Sequence, residues 1–562
     1  MIEGRRASGQ SLPTVQVPTA QFATLNWVNT HWGHGVTVVA GQSLKDHARA
    51  GIQILSRERG DIPRQIIFGH LGWRWLEDGW YFLHGGGAIG EAGQRTGVEV
   101  DIGPGHLQHY RLPDPPAPKS GEIIAAIRAS LALATLAANP AIGWSLLAAV
   151  YRAPLNEALP VDMSIFLHGP TGVKKSELTA LALAHFGAFD SRNFPANWQD
   201  SPNRLEKISH HVKDALLVVD DFKPQGDSRA NAKLHDAAER LLHHAAGNRS
   251  GRGRMRADLS EAPSYYPRGL ILCSGEDLPG TSSPSLRARL WVLRLEPAAV
   301  NLPALSAAQR QRPALARAMS GYLAWLAPQL DDLKRDTGRE FEELRDRLAA
   351  GTTPAHPRTP ANHAHLRIGI ESFLAYAQDA GALNPDERER CLAEAVAALA
   401  AAASQHAAYL QDADEVGRFL SLLQAVLTGD MGHLCEKESN GLPAEHASLM
   451  GWRSITRYNP EARVNEETRE LRGPCIGWVD RQHVYLEPEL TYGQVCALAQ
   501  RQGRPFAVSA QSLWARLKDR GLLARWNAAG QRHTHRETIN GQRRAVIMLS
   551  LHHLVAPEEM PS

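Results

Sequence analysis

One short segment restricts the fold more than any other part of the chain: the run GPTGVKKS at Gly169–Ser176. It follows the apolar run Ser164–Leu167 and precedes the helix-forming run Glu177–Leu183. A strand, a glycine-containing turn, a Lys-Ser pair and a helix are the context that a phosphate-binding loop requires, because glycines let backbone N–H groups surround a phosphate. The segment predicts a nucleotide-binding α/β domain, and an ordinary turn is the alternative.

The residue types of this segment predict individual roles. Lys175 would reach the β- and γ-phosphates of ATP, and the Ser176 hydroxyl would bind Mg²⁺. The position before the lysine is usually glycine, but here it is Lys174, so the loop must tolerate a side chain there. The residues expected to contact the nucleotide are Gly169, Pro170, Thr171, Gly172, Val173, Lys174, Lys175, Ser176 and Glu177.

A second element is the apolar run Ala215–Val219, which ends in the pair Asp220-Asp221. This pattern predicts a Walker B strand, in which Asp220 holds Mg²⁺ directly or through water and Asp221 polarises the attacking water. Aspartate is one carbon shorter than the glutamate that many ATPases carry, so hydrolysis is expected to be slow or water-bridged. A strand end with a solvated acidic turn is the alternative.

Further catalytic candidates follow two later apolar runs. Ser274 comes at the end of the first, where it would sense the γ-phosphate or orient water. Arg287 and Arg289 come just before the second, the usual source of an arginine finger that reaches the nucleotide of a neighbouring subunit. Pairing of these arginines with surface carboxylates is the alternative.

The net charge of the whole chain does not indicate a DNA partner, but two local basic segments do. The whole chain has 61 Lys plus Arg against 59 Asp plus Glu, a net charge of +2. Residues 247–256 contain four arginines, three glycines and no acid. In a ring-shaped motor, such a loop would track single-stranded DNA in the central channel. The alternatives are a solvated surface loop or an ion-pair patch between subunits.

The second basic segment runs from Arg501 to Arg544, where ten Lys plus Arg face two acids, a local excess of +8. A helix capped by Ser509, followed by two basic strands, predicts a winged helix suited to duplex DNA, with protein contacts as the alternative. The residues expected to contact DNA in the two segments are Arg249, Arg252, Arg254, Arg256, Arg516, Lys518, Arg520 and Arg525.

Composition and cysteine spacing argue against a membrane protein and against a zinc site. The longest apolar stretch, Leu131–Tyr151, is broken by Asn139-Pro140, so no membrane partner is expected. The five cysteines are scattered without a CxxC pair, and His433-Leu434-Cys435 has no second ligand pair nearby in the sequence. We therefore expect a cytoplasmic, thiol-reduced protein with no zinc site.

The predicted fold class is an α/β P-loop core, which the family resemblance given below implies to be of the AAA+ type, with a small N-terminal β-rich (α+β) domain, a helical region and a C-terminal winged helix. The Met-Ile-Glu-Gly-Arg start resembles the remnant of a protease site, so the natural start is expected to be missing. The predicted segments are a disordered or protease-site tail at 1–21, the β-rich domain at 22–110, a Pro-rich linker at 111–120, the ATPase core at 121–300, a helical extension at 301–350, a linker at 351–361, a helical region with short strands at 362–484 and the winged helix at 485–562.

A family resemblance is consistent with these motifs. The run Phe194–Pro224, then Gly275–Pro279 and Ser285–Arg289, resembles the bacterial and phage ATPases grouped as domain of unknown function 927. The resemblance covers roughly residues 60 to 300 well and the C-terminal third loosely. Members resemble AAA+ and superfamily 3 replicative helicases of mobile elements, often beside a primase or primase-polymerase.

The resemblance implies an ATP- and Mg²⁺-dependent DNA helicase or translocase that forms a homo-oligomeric ring, a hexamer. Two alternatives stay open. One is an ATP-gated DNA-binding switch or loader that does not unwind DNA, and the other is a nucleotide-binding scaffold without hydrolysis. The shorter Asp221 and the altered loop at Lys174 favour the scaffold.

Overall fold

The computed structural model describes most of the chain and divides it into two units, Met1–Ile67 and Phe68–Ser562. Among the described helices, none combines the length and the apolar character needed to cross a lipid bilayer. The described residues are 1–41, 43–58, 60, 66–224, 228–245, 254–255, 261–262, 264–279, 284–351, 357–412, 415–459, 464–502, 506, 508–527 and 533–554.

The first unit is helical, and the strands of the β-rich (α+β) domain predicted at 22–110 begin only at residue 67. Its apolar residues Val15, Leu25, Trp27 and Val28 form a small core of their own. The backbone of Ile2 pairs with that of Val15, so the predicted tail at 1–21 folds back on itself. Its helices are α1 (Thr19–Phe22), α2 (Asn26–Trp32) and α3 (Leu44–Glu58).

The second unit begins with short strands, which were expected to form a separate domain with residues 22–66. Four of them, β2 to β5, form an antiparallel sheet in that order. Its buried Trp73 donates from Nε1 to the carbonyl of Pro154 at 2.8 Å, so this sheet shares its core with the following α/β domain. The strands are β1 (Ile67–Phe68), β2 (Gly72–Leu76), β3 (Gly79–His84), β4 (Gly87–Gly90), β5 (Gly93–Arg95) and β6 (Glu99–Val100).

A five-stranded parallel sheet follows, with the strand order β13-β7-β12-β9-β8. The prediction of a parallel α/β sheet is confirmed, and its central strands are buried at consecutive positions, as is usual for parallel strands. Its elements are α4 (Gly121–Leu131), α5 (Pro140–Arg152), β7 (Ser164–His168), α6 (Lys175–Leu183), β8 (Ala196–Asn197), α7 (Pro202–His211), β9 (Leu216–Phe222), α8 (Ser228–Ala245), β10 (Arg254–Met255), β11 (Glu261–Ala262), β12 (Leu270–Gly275), α9 (Pro284–Arg287) and β13 (Leu290–Arg294).

Five helices then extend the same hydrophobic core beyond residue 300. A side chain at Gly369 would meet the carbonyl of Ala148 at 2.4 Å, so glycine permits the close crossing of α13 and α5. Tyr151 and Phe373 stack there with ring centroids 3.9 Å apart. The helices are α10 (Leu302–Arg310), α11 (Arg312–Leu326), α12 (Leu330–Ala350), α13 (Thr359–Asp379) and α14 (Pro385–Asp412).

A second hydrophobic core, from Val416 to Leu554, defines a C-terminal domain that begins well before the predicted boundary at residue 485. Its six-stranded sheet has the order β14-β17-β18-β21-β19, with β20 paired to β21. The elements are α15 (Glu415–Thr428), β14 (His433–Glu436), β15 (Trp452–Asn459), β16 (Val464–Leu471), β17 (Cys475–Val479), β18 (His483–Leu486), α16 (Pro488–Arg501), α17 (Ala510–Asp519), β19 (Leu523–Arg525), β20 (His535–Ile539) and β21 (Gln542–Ser550).

Candidate active site

The glycine-containing loop connects the carboxyl end of β7 to the first turn of α6. Gly172 and Lys174 both have left-handed backbone conformations, with φ of +86° and +72°. This explains why glycine usually precedes the lysine, since a residue with a Cβ pays roughly 1–2 kcal/mol for that conformation. Lys174 is exposed, and the loop follows this left-handed path without the second glycine.

The loop begins in a narrow space between two strand ends. The Gly169 N–H donates to the carbonyl of Gly275, at the end of β12, at 3.2 Å. A Cβ on Gly169 would lie 2.4 Å from the carbonyl oxygen of Leu295, just after β13. Only glycine therefore fits where the loop leaves the sheet.

Lys175 folds back over this loop. Its Nζ donates to the carbonyl oxygens of Gly169 at 2.7 Å and Pro170 at 2.8 Å. Burial lowers the pKa of Lys175, while the nearby carboxylates of Glu276 and Asp220 oppose that shift. The ammonium is thus held at the loop by two carbonyls that an anionic ligand could replace.

Asp220 lies at the centre of the site, with 9% of its surface exposed. The Ser176 hydroxyl is 3.1 and 3.3 Å from its two carboxylate oxygens, and the Ser274 hydroxyl also donates to it. Burial raises the pKa of Asp220, and these two hydroxyls partly offset that effect. The structure therefore brings together the carboxylate and both hydroxyls that the sequence singled out separately.

Asp221 occupies a bulge in β9. The register between β9 and β12 shifts from Val219 paired with Cys273 to Phe222 paired with Gly275. Asp221 takes a left-handed conformation with φ of +63° there, and its side chain is exposed. Bulges redirect side chains at strand ends, which places one carboxylate inside the site and the next at its surface.

Glu276 is a site residue that the sequence analysis did not select. Its Oε1 accepts hydrogen bonds from the Thr171 hydroxyl and from Lys223 Nζ, the latter at 2.9 Å. The Thr171 hydroxyl and then Lys223 lower the pKa of this carboxyl. Its place directly after the strand β12 was a usable signal, since carboxyl ends of parallel strands meet at one edge.

Glu177 was expected at the nucleotide, but its carboxylate contacts other elements. It accepts hydrogen bonds from Ser191 Oγ at 2.7 Å and Gln309 Nε2 at 2.6 Å, and Arg312 lies 3.4 Å away. These contacts join α6 to α10 and α11. Any contact of Glu177 with a nucleotide would therefore use its backbone.

A cavity of about 310 Å³ opens beside Asp220. Arg192, Phe194 and Asn197 are among the residues that line it. A cationic, an aromatic and an amide residue thus lie next to the carboxylate. None of these three residues was selected from the sequence.

Arg289 lies at the opposite edge of the sheet from the loop. Its carbonyl accepts from the N–H of Ser164, the first residue of β7, whereas the loop follows the last. A strand of this length separates the two edges by about 16 Å, beyond the reach of an arginine side chain. Burial lowers the pKa of Arg289, and its Nη1 is 3.2 Å from Nδ1 of His243. Arg287 is buried two residues earlier, on α9.

The basic residues expected in a central channel are described only in part. Arg249, Arg252 and Arg256 lie outside the described residues. The backbone of Arg254 pairs with Ala262 in the two-stranded sheet of β10 and β11.

The basic residues near the C-terminus have different surroundings. Arg516 forms an ion pair with the buried carboxylate of Glu415, which joins α17 to α15. Lys518 is half-buried, while Arg520 and Arg525 are exposed. The N-cap prediction agrees with the structure, since Ser509 accepts a hydrogen bond at the start of α17.

Three further exposed arginines, Arg536, Arg543 and Arg544, lie on the β20–β21 hairpin and were not selected as DNA contacts. The hairpin turns at Asn540-Gly541, where both residues have positive φ, 45° and 73°. Asn-Gly between alternating strands is a hairpin signal, so this element could have been predicted.

No protein-family model matches the chain, and no curated protein has a significant sequence match to it. The resemblance to the domain of unknown function 927 family is therefore unsupported. Among solved structures, the chain is similar to one described as "SCCmec type IV Cch - active helicase", with 12% identity and a TM-score of 0.53 over 97% of this chain and 89% of that one. At this identity the similarity concerns the fold, a mixed α/β architecture with a parallel sheet. A second structure, the apo A form of the NrS-1 C-terminal region, has 12% identity over 57% of this chain and 80% of that one, and its TM-score of 0.25 is too low to compare folds.

Proposed function

We propose that the protein is an ATP-dependent DNA helicase or translocase that acts in the replication of a mobile element or phage. The observation that carries the proposal is the meeting of Lys175, Ser176 and Asp220 at the carboxyl edge of a parallel sheet. A cation, a hydroxyl and a carboxylate beside a helix N-terminus are the groups that phosphoryl transfer requires. The fold similarity to a helicase agrees with this chemistry.

The donor set fits Mg²⁺. Ser176 and Asp220 supply oxygen atoms 3.1 to 3.3 Å apart, and Mg²⁺ is usually held by one or two protein oxygens together with substrate phosphates and water. These two residues would hold the ion. When bound, Mg²⁺ would neutralise charge on the phosphate oxygens.

Other side chains would bind the phosphates, activate the attacking water and position the loop. Lys175 would exchange the carbonyls of Gly169 and Pro170 for the phosphates of ATP, and the exposed Asp221 would accept a proton or hydrogen bond from the attacking water. Ser274 would act as a positioning residue, because it contacts Asp220. Glu276 would anchor the loop through Thr171.

Hydrolysis would need a neighbouring subunit. Arg289 cannot reach the loop of its own chain, so we propose that it completes the site of the next subunit in a ring, a hexamer, a role for which the buried Arg287 is less suited. In such a ring the basic segment 247–256 would bind the single strand through its arginines. The exposed Arg520 after α17, Arg525 of β19 and the arginines of the β20–β21 hairpin would bind duplex DNA as a winged helix, and a primase or primase-polymerase would act beside it.

Two alternatives use the same site differently. An ATP-gated DNA-binding switch or loader would hydrolyse ATP without separating strands. A nucleotide-binding scaffold would bind ATP without turnover, which the left-handed Lys174 and the short Asp221 favour.

The proposal is tested by measuring ATP turnover with Mg²⁺, with and without forked DNA, together with strand displacement. Lys175→Ala should lower turnover by at least about 100-fold, because the phosphate charge loses its cation. Lys207→Ala, which changes an exposed lysine on α7 in the same domain, should leave it unchanged. Normal turnover by Lys175→Ala would refute the site assignment. Turnover without strand displacement would identify the switch, and a wild-type protein without turnover would identify the scaffold.

A further inference from the structure

Three potential metal ligands meet on one face of the C-terminal sheet, far along the chain from the candidate active site. His433 and Cys435 are two residues apart on β14, so their side chains point to the same side of the strand. Cys475 opens β17 and pairs with His433 in the parallel register. The candidate ligand atoms of the three residues all lie within 4.8 Å of one another.

Two of these side chains are buried and the third is half-buried. Cys435 is 3% exposed, His433 is 5% exposed and Cys475 is half-buried. Nδ1 of His433 is 3.3 Å from the carbonyl oxygen of Arg472. A histidine whose Nδ1–H donates to a carbonyl keeps the lone pair on its other ring nitrogen, which is the arrangement around metal-binding histidines.

The backbone around the three residues is held by close contacts. Gly451 and Gly473 have left-handed conformations, with φ of +89° and +70°. A Cβ on Gly451 would lie 2.6 Å from the Gly432 carbonyl oxygen, and one on Gly473 would lie 2.6 Å from the Gly432 nitrogen. Trp452 also donates from Nε1 to the carbonyl of Leu434 at 2.8 Å. The strand that carries two of the ligands is therefore positioned before any ion binds.

We propose that His433, Cys435 and Cys475 bind one Zn²⁺ ion. Two thiolates and an imidazole are soft and borderline donors that suit Zn²⁺ and disfavour Mg²⁺ or Ca²⁺. Zinc is usually four-coordinate, so water or an external donor would complete the site. Binding would form two Zn–S bonds and one Zn–N bond, and the two thiol protons would pass to solvent.

The position of the site predicts a structural role. β14 precedes the β15–β16 hairpin and β17 follows it, so the ion would join the chain on both sides of that hairpin. Asp430 already pairs with Arg453 at 3.0 Å and Arg472 at 3.3 Å at the same end of the hairpin. Bound zinc would connect β14 to β17 through metal–ligand bonds, at the end of the hairpin that these ion pairs already hold. By closing the chain segment between the two strands, it would stabilise the C-terminal domain.

The test uses the full-length protein, reduced and stripped of metal. One equivalent of Zn²⁺ should bind in competition with a chromophoric chelator and should raise the thermal unfolding midpoint of the wild type. Co²⁺ used as a probe should give a thiolate-to-cobalt charge-transfer band. Cys475→Ser should weaken zinc binding by at least about 100-fold and abolish both effects, since it removes one of three ligands. Cys496→Ser, a half-buried cysteine on α16 in the same domain, should behave like the wild type.

Several results would overturn the proposal. One is a wild-type protein that binds less than one equivalent of Zn²⁺ or shows no thiolate-to-cobalt band, and this readout does not depend on any variant folding. Another is unchanged zinc affinity in Cys475→Ser. A third is a Cys435–Cys475 disulfide, found by mass spectrometry of protein purified without reductant, that persists when reductant and Zn²⁺ are supplied. Because none of these measurements uses ATP, failure here would be separate from failure of the proposed helicase activity.

Discussion

Replacing Asp220 by asparagine should remove ATP hydrolysis without destabilising the protein. Asp220 is buried and accepts hydrogen bonds from the hydroxyls of Ser176 and Ser274. Asparagine has the same shape, and a hydroxyl can either donate to its amide oxygen or accept from its amide nitrogen. The substitution therefore keeps the packing and the hydrogen bonds, and it removes mainly the charge.

Two opposing contributions set the change in the free energy of unfolding. A hydrogen bond to a charged group exceeds one to a neutral group by about 1 kcal/mol, so the two hydroxyls favour the carboxylate by about 2 kcal/mol. Burying an ionised carboxylate costs several kcal/mol. Burial raises the pKa of Asp220 in spite of both hydroxyls, so the cost of burial is the larger contribution. We expect Asp220→Asn to raise the free energy of unfolding by about 0–2 kcal/mol.

The pH dependence follows from the sign of that shift. A raised pKa means that the folded protein binds the Asp220 proton more readily than the unfolded chain does. The ionised side chain therefore destabilises the fold above its raised pKa, and this penalty disappears as the pH falls below the usual carboxyl value. The stability difference between the asparagine variant and the wild type should be largest near neutral pH and vanish in acid.

Urea unfolding of both proteins at several pH values, with a chelator and without nucleotide, measures this difference, and ATP turnover is measured in parallel. Asp236→Asn is the control, because Asp236 is an exposed residue on α8 that pairs with Arg240. It should change neither quantity appreciably. A loss of more than about 1 kcal/mol in Asp220→Asn at neutral pH would show that the charge stabilises the fold and would refute the reasoning. Wild-type turnover in that variant would refute the active site.

Three further predictions concern the loop, the β20–β21 hairpin and Arg516 on α17. Lys174→Gly should relieve about 1–2 kcal/mol of left-handed strain and cost about 0.5–1 kcal/mol in chain entropy, so stability should rise by about 1 kcal/mol or less and nucleotide binding should be kept. Thermal unfolding and nucleotide titration check this, and lower stability would mean that the lysine side chain supports the loop. Replacing Arg536 and Arg543 by Ala should weaken duplex-DNA binding, and the slope of log affinity against log salt concentration should fall by about 0.9 per lost phosphate contact. Arg516→Ala should instead lower the stability of the fold, because it leaves the buried Glu415 unpaired. An unchanged salt slope in the double variant would assign the hairpin to protein contacts.

The sequence alone was sufficient for the main elements of the second unit. The apolar runs before Gly169 and Asp220 are strands, and Ser509 begins a helix, as predicted. These features are local, because burial on both faces makes a parallel strand continuously apolar and a helix end needs a cap within a few residues. The same local rules supported the parallel sheet before any long-range contact was known.

Domain boundaries were predicted less well. Composition placed a separate domain at 22–110 and a winged helix from 485, but the hydrophobic cores run from Leu71 to Ala402 and from Val416 to Leu554. Proline-rich segments such as 111–120 do run without helix or strand, as expected of a linker, yet they connect elements of one core. Whether two elements share a core depends on which apolar faces meet, and composition does not contain that information.

The contacts that define both candidate sites come from the tertiary structure. Sequence analysis found Ser176, Asp220 and Ser274 one by one, but the strand order and the bulge at Asp221 decide that both hydroxyls contact one carboxylate. Cys475 becomes a neighbour of His433 only through the pairing of β14 with β17. The sequence shows which residues are close along the chain. Strand pairing between distant segments brings the ligands and catalytic groups together in space. Residue chemistry was therefore readable from the sequence, and the tertiary fold decided which residues act together.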